Sequence, residues 1–219
     1  MGAKTTREKI TDDIIIDMYM DYVLAHEAAP KSVYKFCQSN QLEEADFYER
    51  FGSFENLQRA IWAKFYGNTE TLIQKNKGYE GFSNKDKMLT FFFSFFELLS
   101  LNRSYVLFAL KEQRNVLKNL KQLTYLRKHF KGFATALIEE ANSDKSIRIT
   151  KYNPQLFSEG AWLQLMFLLK FWMDDSSPGF EKTDMAIEKS VKTVFDVFDN
   201  TPLESIIDLG KFLYKENFA

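Results

Sequence analysis

Apolar residues recur at helical spacing along almost the whole chain. The stripe nearest the N-terminus consists of Ile10, Ile14, Met18, Tyr22 and Ala25. Similar stripes occur over residues 54–65 and 187–198. No run alternates apolar and polar positions with β-branched residues, as a half-buried strand would. The pattern therefore predicts an all-α protein with about nine or ten helices.

Capping residues and breaks divide the pattern into separate helices. The predicted helices cover about residues 7–25, 31–39, 43–50, 54–76, 83–101, 103–119, 121–141, 155–173, 181–198 and 203–217. Ser53 is a suitable N-cap for the fourth helix, and Ser83 with Asp86 resembles a capping box. Residues 141–154 form a predicted loop or lid.

Composition narrows the class of protein. The 219 residues suffice for one large or two small domains, and 45% apolar residues are ordinary for a globular chain. The 22 Phe residues indicate an aromatic core or an apolar cavity. The densest apolar stretch, residues 88–101, is too short to span a membrane, and Glu97 interrupts it. We expect a cytoplasmic protein without a signal peptide or a membrane partner.

The side chains that catalysis usually requires are few. His26 and His129 lie on different predicted helices, and no Gly-rich phosphate loop or nucleophile elbow occurs. Cys37 is the single cysteine, which excludes an intrachain disulfide and multi-cysteine metal sites. We expect no enzymatic activity, no cofactor and no metal site.

Two short helices between two long ones predict a helix-turn-helix near the N-terminus. Val33, Phe36 and Cys37 give the first short helix an inward face, and Leu42 lies in the turn. On the second short helix, the spacing predicts that Ala45, Tyr48 and Phe51 face back toward the first long helix. We predict a head domain over residues 1–53 and a second domain over residues 54–219.

This pattern resembles the TetR family of bacterial one-component regulators. The matching segments are TREKI from Thr6, SVYKFCQSNQLEEADFYERF from Ser32 and SFENLQRAI from Ser53. The remaining chain is similar in architecture, as an all-helical regulatory domain of suitable length. The resemblance implies a homodimer whose third helices enter the major grooves of a double-stranded DNA operator. It also implies that a small, mostly apolar effector binds the second domain.

The resemblance also implies a set of DNA-binding residues around the two short helices. These are Lys4, Arg7, Lys31, Ser32, Lys35, Glu43, Glu44, Asp46, Tyr48 and Arg50. For the predicted phosphate contacts among them, each taken alone, the alternative is a solvated surface residue that does not contact DNA. The turn departs from the family pattern, because Asn40 and Gln41 replace a small residue and glycine. Asn tolerates the left-handed conformation, so we expect the turn to form.

The charge of the head also departs from the pattern. Residues 1–65 contain eleven acidic and eight basic residues, a net charge of −3, whereas DNA affinity depends on neutralising phosphates. Three interpretations of the acids on the third helix stay open. In the first, the acids stabilise the helix through its positive N-terminal end. In the second, they accept hydrogen bonds from cytosine amino groups. In the third, the protein has lost DNA binding.

Aromatic residues dominate the second domain and predict an apolar ligand site, since such sites are lined mainly by apolar groups. The predicted ligand-binding residues are Phe92, Phe95, Phe96, Leu99, Tyr105, Phe108, Phe133, Trp162 and Met166. Glu97, Arg114, His129 and Gln164 are candidates to orient the ligand. The alternative for each aromatic residue is simple core packing.

Further aromatic and apolar residues near the C-terminus predict a seam between two subunits. They are Phe167, Phe171, Trp172, Val191, Val194 and Phe198. The sequence therefore predicts a dimeric DNA-binding transcriptional regulator, a repressor released by a small apolar effector. The alternative is a protein of the same fold that has lost DNA binding and binds a lipid, a hydrophobic metabolite or a protein partner.

Overall fold

The computed structural model describes residues 10–111, 121–143 and 152–200 of the chain. Within these ranges the chain forms nine α-helices and no strand, which confirms the all-α fold class. The helices are α1 (Asp12–His26), α2 (Val33–Ser39), α3 (Glu44–Arg50), α4 (Phe54–Gln74), α5 (Asn84–Leu101), α6 (Arg103–Lys111), α7 (Thr124–Ser143), α8 (Pro154–Asp174) and α9 (Glu181–Asn200). The predicted helix over residues 203–217 lies outside the described residues. None of the described helices is long and apolar enough to cross a bilayer.

Polar side chains define where several helices begin. The Ser53 hydroxyl accepts a hydrogen bond from the Asn56 amide at 3.2 Å, as predicted for the start of α4. Ser83 caps α5 as predicted, because its hydroxyl accepts from the Asp86 amide at 3.1 Å; the same hydroxyl donates to the Asp86 carboxylate at 2.6 Å, in place of the backbone amide of a complete capping box. Thr11 caps α1 in the same manner, so this helix begins at Asp12.

The chain forms two compact units. Of the described residues, the first comprises 10–65, 99–111 and 121–126, and the second comprises 66–98, 127–143 and 152–200. The division runs through α4 and α5, so the long helices contribute to both units. A functional boundary after residue 53 stays a prediction.

An aromatic cluster forms the core of the helix-turn-helix in the first unit. Phe47 of α3 is fully buried, and its ring centroid lies 6.1 Å from that of Phe36 and 5.3 Å from that of Phe54. Phe36 is also fully buried and contacts Tyr19 of α1 at 6.2 Å. These rings hold α2 and α3 against α1 and the start of α4, since so short a helix pair buries little surface alone.

The predicted inward face of α3 is wrong by one residue. Phe51 is buried as expected, but Ala45 and Tyr48 are exposed, and Phe47 occupies the inward position. Phe47 and Phe51 are four residues apart and share one face of the helix. Burying Phe47 removes no polar atom from water, whereas Tyr48 keeps its hydroxyl solvated on the outer face.

The residue that closes the turn between α2 and α3 also differs from the prediction. Gln41 has the left-handed backbone with φ of 55°, while Asn40 has φ of −106°. Instead, the Asn40 side-chain amide donates to the Phe36 carbonyl at 2.8 Å and satisfies the end of α2. The turn therefore forms without glycine, at the steric cost that a left-handed Gln carries.

Stacked and tilted phenylalanine rings form the core of the second unit. Phe91 lies 4.9 Å from Phe133 and 5.0 Å from Phe130, measured between ring centroids. Phe92 and Phe95 are fully buried beside it. Lys87 of α5 is buried as well, and its ammonium donates to both carboxylate oxygens of Glu140 at 2.9 Å.

A buried carboxylate joins the end of α8 to the start of α9. Asp175 accepts hydrogen bonds from the Ser177 amide and hydroxyl at 2.8 and 2.7 Å, and from the Thr183 amide and hydroxyl at 2.9 and 2.7 Å. Burial alone raises the pKa of Asp175, but the four hydrogen bonds outweigh it and lower the pKa to about 2. The carboxylate is therefore ionised when the two helices pack.

Candidate functional site

Two exposed tyrosines distinguish the outer face of the helix-turn-helix. Tyr34 of α2 is 59% exposed and Tyr48 of α3 is 51% exposed. Tyr48 is held in place from beneath, because its ring lies perpendicular to buried Phe47 with centroids 5.7 Å apart. A phenol at the surface can donate to a phosphate oxygen. The outer face of α3 thus offers an oriented donor to a ligand.

The predicted basic residues do not all share this surface. Lys31 and Lys35 are exposed at the start of α2, and Ser32 between them caps α2 by accepting from the Lys35 amide at 3.3 Å. Lys4 and Arg7 lie outside the described residues. Of the predicted basic phosphate contacts, Lys31 and Lys35 are therefore the two that the described surface exposes near α2.

Arg50 is engaged inside the head. Its guanidinium donates to the Asp12 carboxylate and to the Ile10 carbonyl, each at 2.5 Å, and connects the end of α3 to the start of α1. This pair could not be inferred from spacing, because the partners are 38 residues apart in sequence. Both terminal nitrogens of the guanidinium are consequently engaged, so Arg50 does not present a full fork to a phosphate.

The acids of α3 lie around its exposed side. Glu43 and Glu49 are exposed, while Glu44 and Asp46 are half-buried. Burial, followed by the negative charges of Glu44, Asp46 and Glu43, raises the pKa of Cys37 to about 11. The Cys37 thiol is therefore neutral and unreactive, and its pKa registers the negative potential that α3 creates.

The predicted ligand-binding residues pack as core. Phe92, Phe95, Phe96, Leu99, Tyr105 and Trp162 are buried, and Phe108, Phe133 and Met166 are half-buried. Leu99, Tyr105 and Phe108 belong to the first unit and the other six to the second. None of the nine lines any of four prominent clefts of the described residues. A site for an apolar effector stays a prediction.

The candidate orienting residues are equally dispersed. Glu97 and His129 are exposed, and the His129 ring stacks on Tyr66 with centroids 5.4 Å apart. Arg114 lies outside the described residues. Gln164 is buried and belongs to a groove on the outer side of α8.

That groove is mainly apolar and lies between α8 and α9. It has a volume of about 850 Å3, and its walls include Leu163, Phe167 and Phe171 of α8 and Met185 and Val194 of α9. Leu163 is 68% exposed and Phe167 56%. So much exposed apolar surface on neighbouring helices is typical of a protein interface.

A buried amide lies at the floor of the groove between α8 and α9. The Gln164 side chain is 7% exposed, and its nitrogen donates to the Ser190 hydroxyl at 3.0 Å. Its carbonyl oxygen is buried without a hydrogen-bond donor. The groove therefore contains one unsatisfied acceptor within an apolar surface.

The six predicted interface residues divide between this groove and the interior. Phe167, Phe171 and Val194 line the groove. Trp172 and Val191 are fully buried within the chain, so their assignment to the surface of a subunit is corrected. Trp172 packs on Phe96 and Phe180, with centroids 6.2 and 6.1 Å apart. The Phe198 side chain lies outside what the structure describes.

Among the described residues, no group of three or more His, Cys, Asp or Glu side chains is arranged to hold a metal ion.

A family model described as "Tetracyclin repressor-like, C-terminal domain" matches residues 87–213, which is more than half of the chain. A search of curated proteins finds no match.

Proposed function

Since this chain belongs to the tetracycline repressor-like family, we propose that it is a dimeric DNA-binding repressor released by a small apolar effector. The observation that carries the proposal is the outer face of α3. Tyr48 is exposed there and held from beneath by Phe47, and Lys31 and Lys35 are exposed at the start of α2. Such a helix fits the major groove, and its flanking donors meet phosphates. A DNA-binding role would place the protein in the cytoplasm.

The dimer of this proposal forms through the groove between α8 and α9. Exposed Leu163, Phe167 and Met185 would be removed from water by a second copy, which is the usual reason for such surface to exist. A two-fold arrangement would also let each head meet one half-site of an operator. Groove residues that one copy leaves exposed would then be buried against the other.

The effector of this proposal binds among the aromatic residues of the second unit. The composition supports an apolar molecule, and Phe91, Phe130 and Phe133 pack ring against ring there. Binding would therefore have to displace rings rather than fill an existing space. Ligands that bind the folded chain raise its melting temperature, so screening apolar compounds by thermal shift would identify effectors.

Binding to the DNA upstream of the protein's own coding sequence, measured at several salt concentrations, tests the proposal. Specific binding should exceed non-specific binding at low salt and weaken as salt rises. Tyr48→Ala should weaken binding about tenfold for all sequences, because a phosphate contact carries no base preference. Tyr125→Ala is the matched control, since Tyr125 is 42% exposed but lies on α7. Binding no stronger than to random DNA would reject the repressor.

A second candidate function is favoured by the charge of the head. Arg50 is paired with Asp12, and exposed Glu43 and Glu49 add negative charge to the face that would meet DNA. A family member with such a head could bind a lipid, a hydrophobic metabolite or a protein partner instead. Absence of specific DNA binding, with retained thermal stabilisation by an apolar compound, would select this function.

A further inference from the structure

A cleft of about 410 Å3 lies within the first compact unit. It is bounded by α1, by the segment between α1 and α2, by the first turns of α4 and by residues 121–122. Its volume falls within the range of small-molecule sites. All of the residues that line the cleft belong to the first unit.

One wall of the cleft is apolar, with the half-buried Phe54 ring next to buried Tyr19. The rings of Tyr19 and Phe54 lie 5.6 Å apart at an angle of 32°, and Pro30 is buried beside them. The Tyr19 hydroxyl accepts a hydrogen bond from the Gln58 side chain at 2.8 Å, which fixes both residues. Phe54 is the half-buried ring of this wall, and a planar ligand ring can pack against it, because aromatic groups pair in offset or edge contacts.

The wall formed by Gln122 is fixed by two hydrogen bonds. Its side-chain carbonyl accepts from the Trp62 indole at 3.0 Å, and its side-chain nitrogen donates to the Ala109 carbonyl at 2.9 Å. Gln122 and Trp62 are buried. Because both polar ends of Gln122 are satisfied, this side of the cleft is preformed.

The rest of the lining carries a net positive charge. Arg59 and Lys121 are cationic, and Glu55 is the one acid among the residues that line the cleft. The Arg59 guanidinium donates to the Asn56 side chain at 2.9 Å, which orients it and leaves further N–H groups for a ligand. Neither cation forms an ion pair with any residue that the structure describes. A carboxylate would therefore meet oriented donors here.

We propose that this cleft binds a small organic anion with a flat apolar ring, of which an aromatic carboxylate is the simplest example. The ring lies against Phe54, which buried Tyr19 supports, and the carboxylate accepts hydrogen bonds from Arg59 and Lys121. The ligand bridges the segment before α2 to the start of α4. The binding site is independent of whether the head binds DNA.

Isothermal titration calorimetry with 2-naphthoate and its neutral isostere 2-naphthamide tests the site on the full chain. Naphthoate should bind once per chain and at least tenfold more tightly than the amide. Arg59→Gln should remove most of that preference, since it deletes the forked donor. Glu55→Gln should strengthen naphthoate binding two- to threefold, because it removes a like charge from the lining. Lys75→Gln, which replaces an exposed lysine that does not line the cleft, should have no effect.

Hydrogen exchange gives a second measurement on the same samples. Naphthoate should slow exchange in residues 27–32 and 54–59, and Arg59→Gln should abolish this protection. Equal affinity for acid and amide would overturn the proposal, as would absent binding at millimolar ligand or unchanged affinity in Arg59→Gln. If Arg59→Gln fails to fold, Lys121→Gln, which replaces an exposed lysine of the lining, can be used for the same comparison of naphthoate and naphthamide. Because no DNA is present, these outcomes are distinct from failure of the proposed repressor.

Discussion

Adjacent residues Phe47 and Tyr48 have opposite roles on α3. Phe47 contacts Phe36, Phe51 and Phe54 inside the head, whereas half of the Tyr48 side chain is exposed. The inward residue holds the helix in place, and the outward residue is available to a partner. Stability and binding are therefore separable by substitution at neighbouring positions.

Phe47→Ala should lower the free energy of unfolding of the unit that contains the head by about 3–5 kcal/mol, because it leaves a cavity in a packed core. Tyr48→Ala should lower it by less than about 1 kcal/mol, since an exposed residue loses few contacts. Urea unfolding monitored by circular dichroism would compare the two. Equal destabilisation by both substitutions would contradict the register of α3 in the structure.

Asp175 predicts a stability loss in acid. Its pKa of about 2 in the folded chain lies below its ordinary value of 3.8, so the folded state favours the ionised form. The stabilisation is complete above about pH 4 and disappears as the pH falls toward 2. It contributes about 2 kcal/mol near neutral pH, from the size of the shift.

Asp175→Asn should remove that contribution and flatten the dependence of unfolding free energy on pH between 4 and 2. Asp174→Asn is the matched control, because Asp174 is an exposed neighbour paired with Lys170 within one helix. Denaturant titrations at several pH values would measure both. If the unfolding free energy of Asp175→Asn fell between pH 4 and 2 as steeply as that of the wild type, Ser177 and Thr183 would not stabilise the carboxylate as the structure indicates.

At the scale of the helix, the sequence was sufficient to predict that the elements are helices and where several of them begin. Ser53 and the pair Ser83 and Asp86 indicated where α4 and α5 begin, because capping is local chemistry. The inward face of α3 was not predictable, since Phe47 and Tyr48 both lie within one turn of Phe51. Which ring is buried depends on contacts with α2 and α4 that a local pattern does not contain.

The helices α8 and α9 show the same limit for the interface. Phe167 and Trp172 are both aromatic residues of one apolar helix, yet one is 56% exposed and the other is fully buried. Composition alone does not separate a core from an interface, because both favour large apolar side chains. Leu163 and Met185 line the groove together with Phe167, and they can be assigned to it only once the packing of the two helices is known.

Phe167→Glu should convert the proposed dimer to a monomer, because it introduces a charge into an apolar interface. Leu101→Glu provides a matched control, since Leu101 is 77% exposed and lies outside the groove. Light scattering after size exclusion would report the mass of each variant. A wild-type monomer, or a Phe167→Glu dimer, would contradict association through this groove.

At the scale of the whole molecule, sequence was sufficient for the fold class and the family. Helical periodicity along the chain and the match over residues 87–213 agree on an all-α member of the tetracycline repressor-like family. The pairing of Arg50 with Asp12 and the cleft beside Tyr19 required the tertiary structure, because their residues are remote in sequence. The surface charge available to DNA is therefore smaller than a count of basic residues suggests.

This charge distribution predicts the salt dependence of DNA binding. Lys35→Gln should reduce the slope of log affinity against log salt by about 2 for a dimer, since each protomer loses one phosphate contact. Lys75→Gln, which changes the net charge equally, should leave the slope unchanged. Fluorescence anisotropy between 50 and 200 mM salt covers the useful range. An equal change in both variants would mean that Lys35 acts only through net charge.

The arrangement of α3 also has a consequence for engineering. Its structural contacts come from Phe47, Arg50 and Phe51, while Ala45, Tyr48 and Glu49 are exposed. The outer face can therefore be exchanged as a module, without redesign of the aromatic cluster below it. Under the proposed DNA-binding function, grafting a basic recognition sequence at these three positions would retarget the head while preserving its fold.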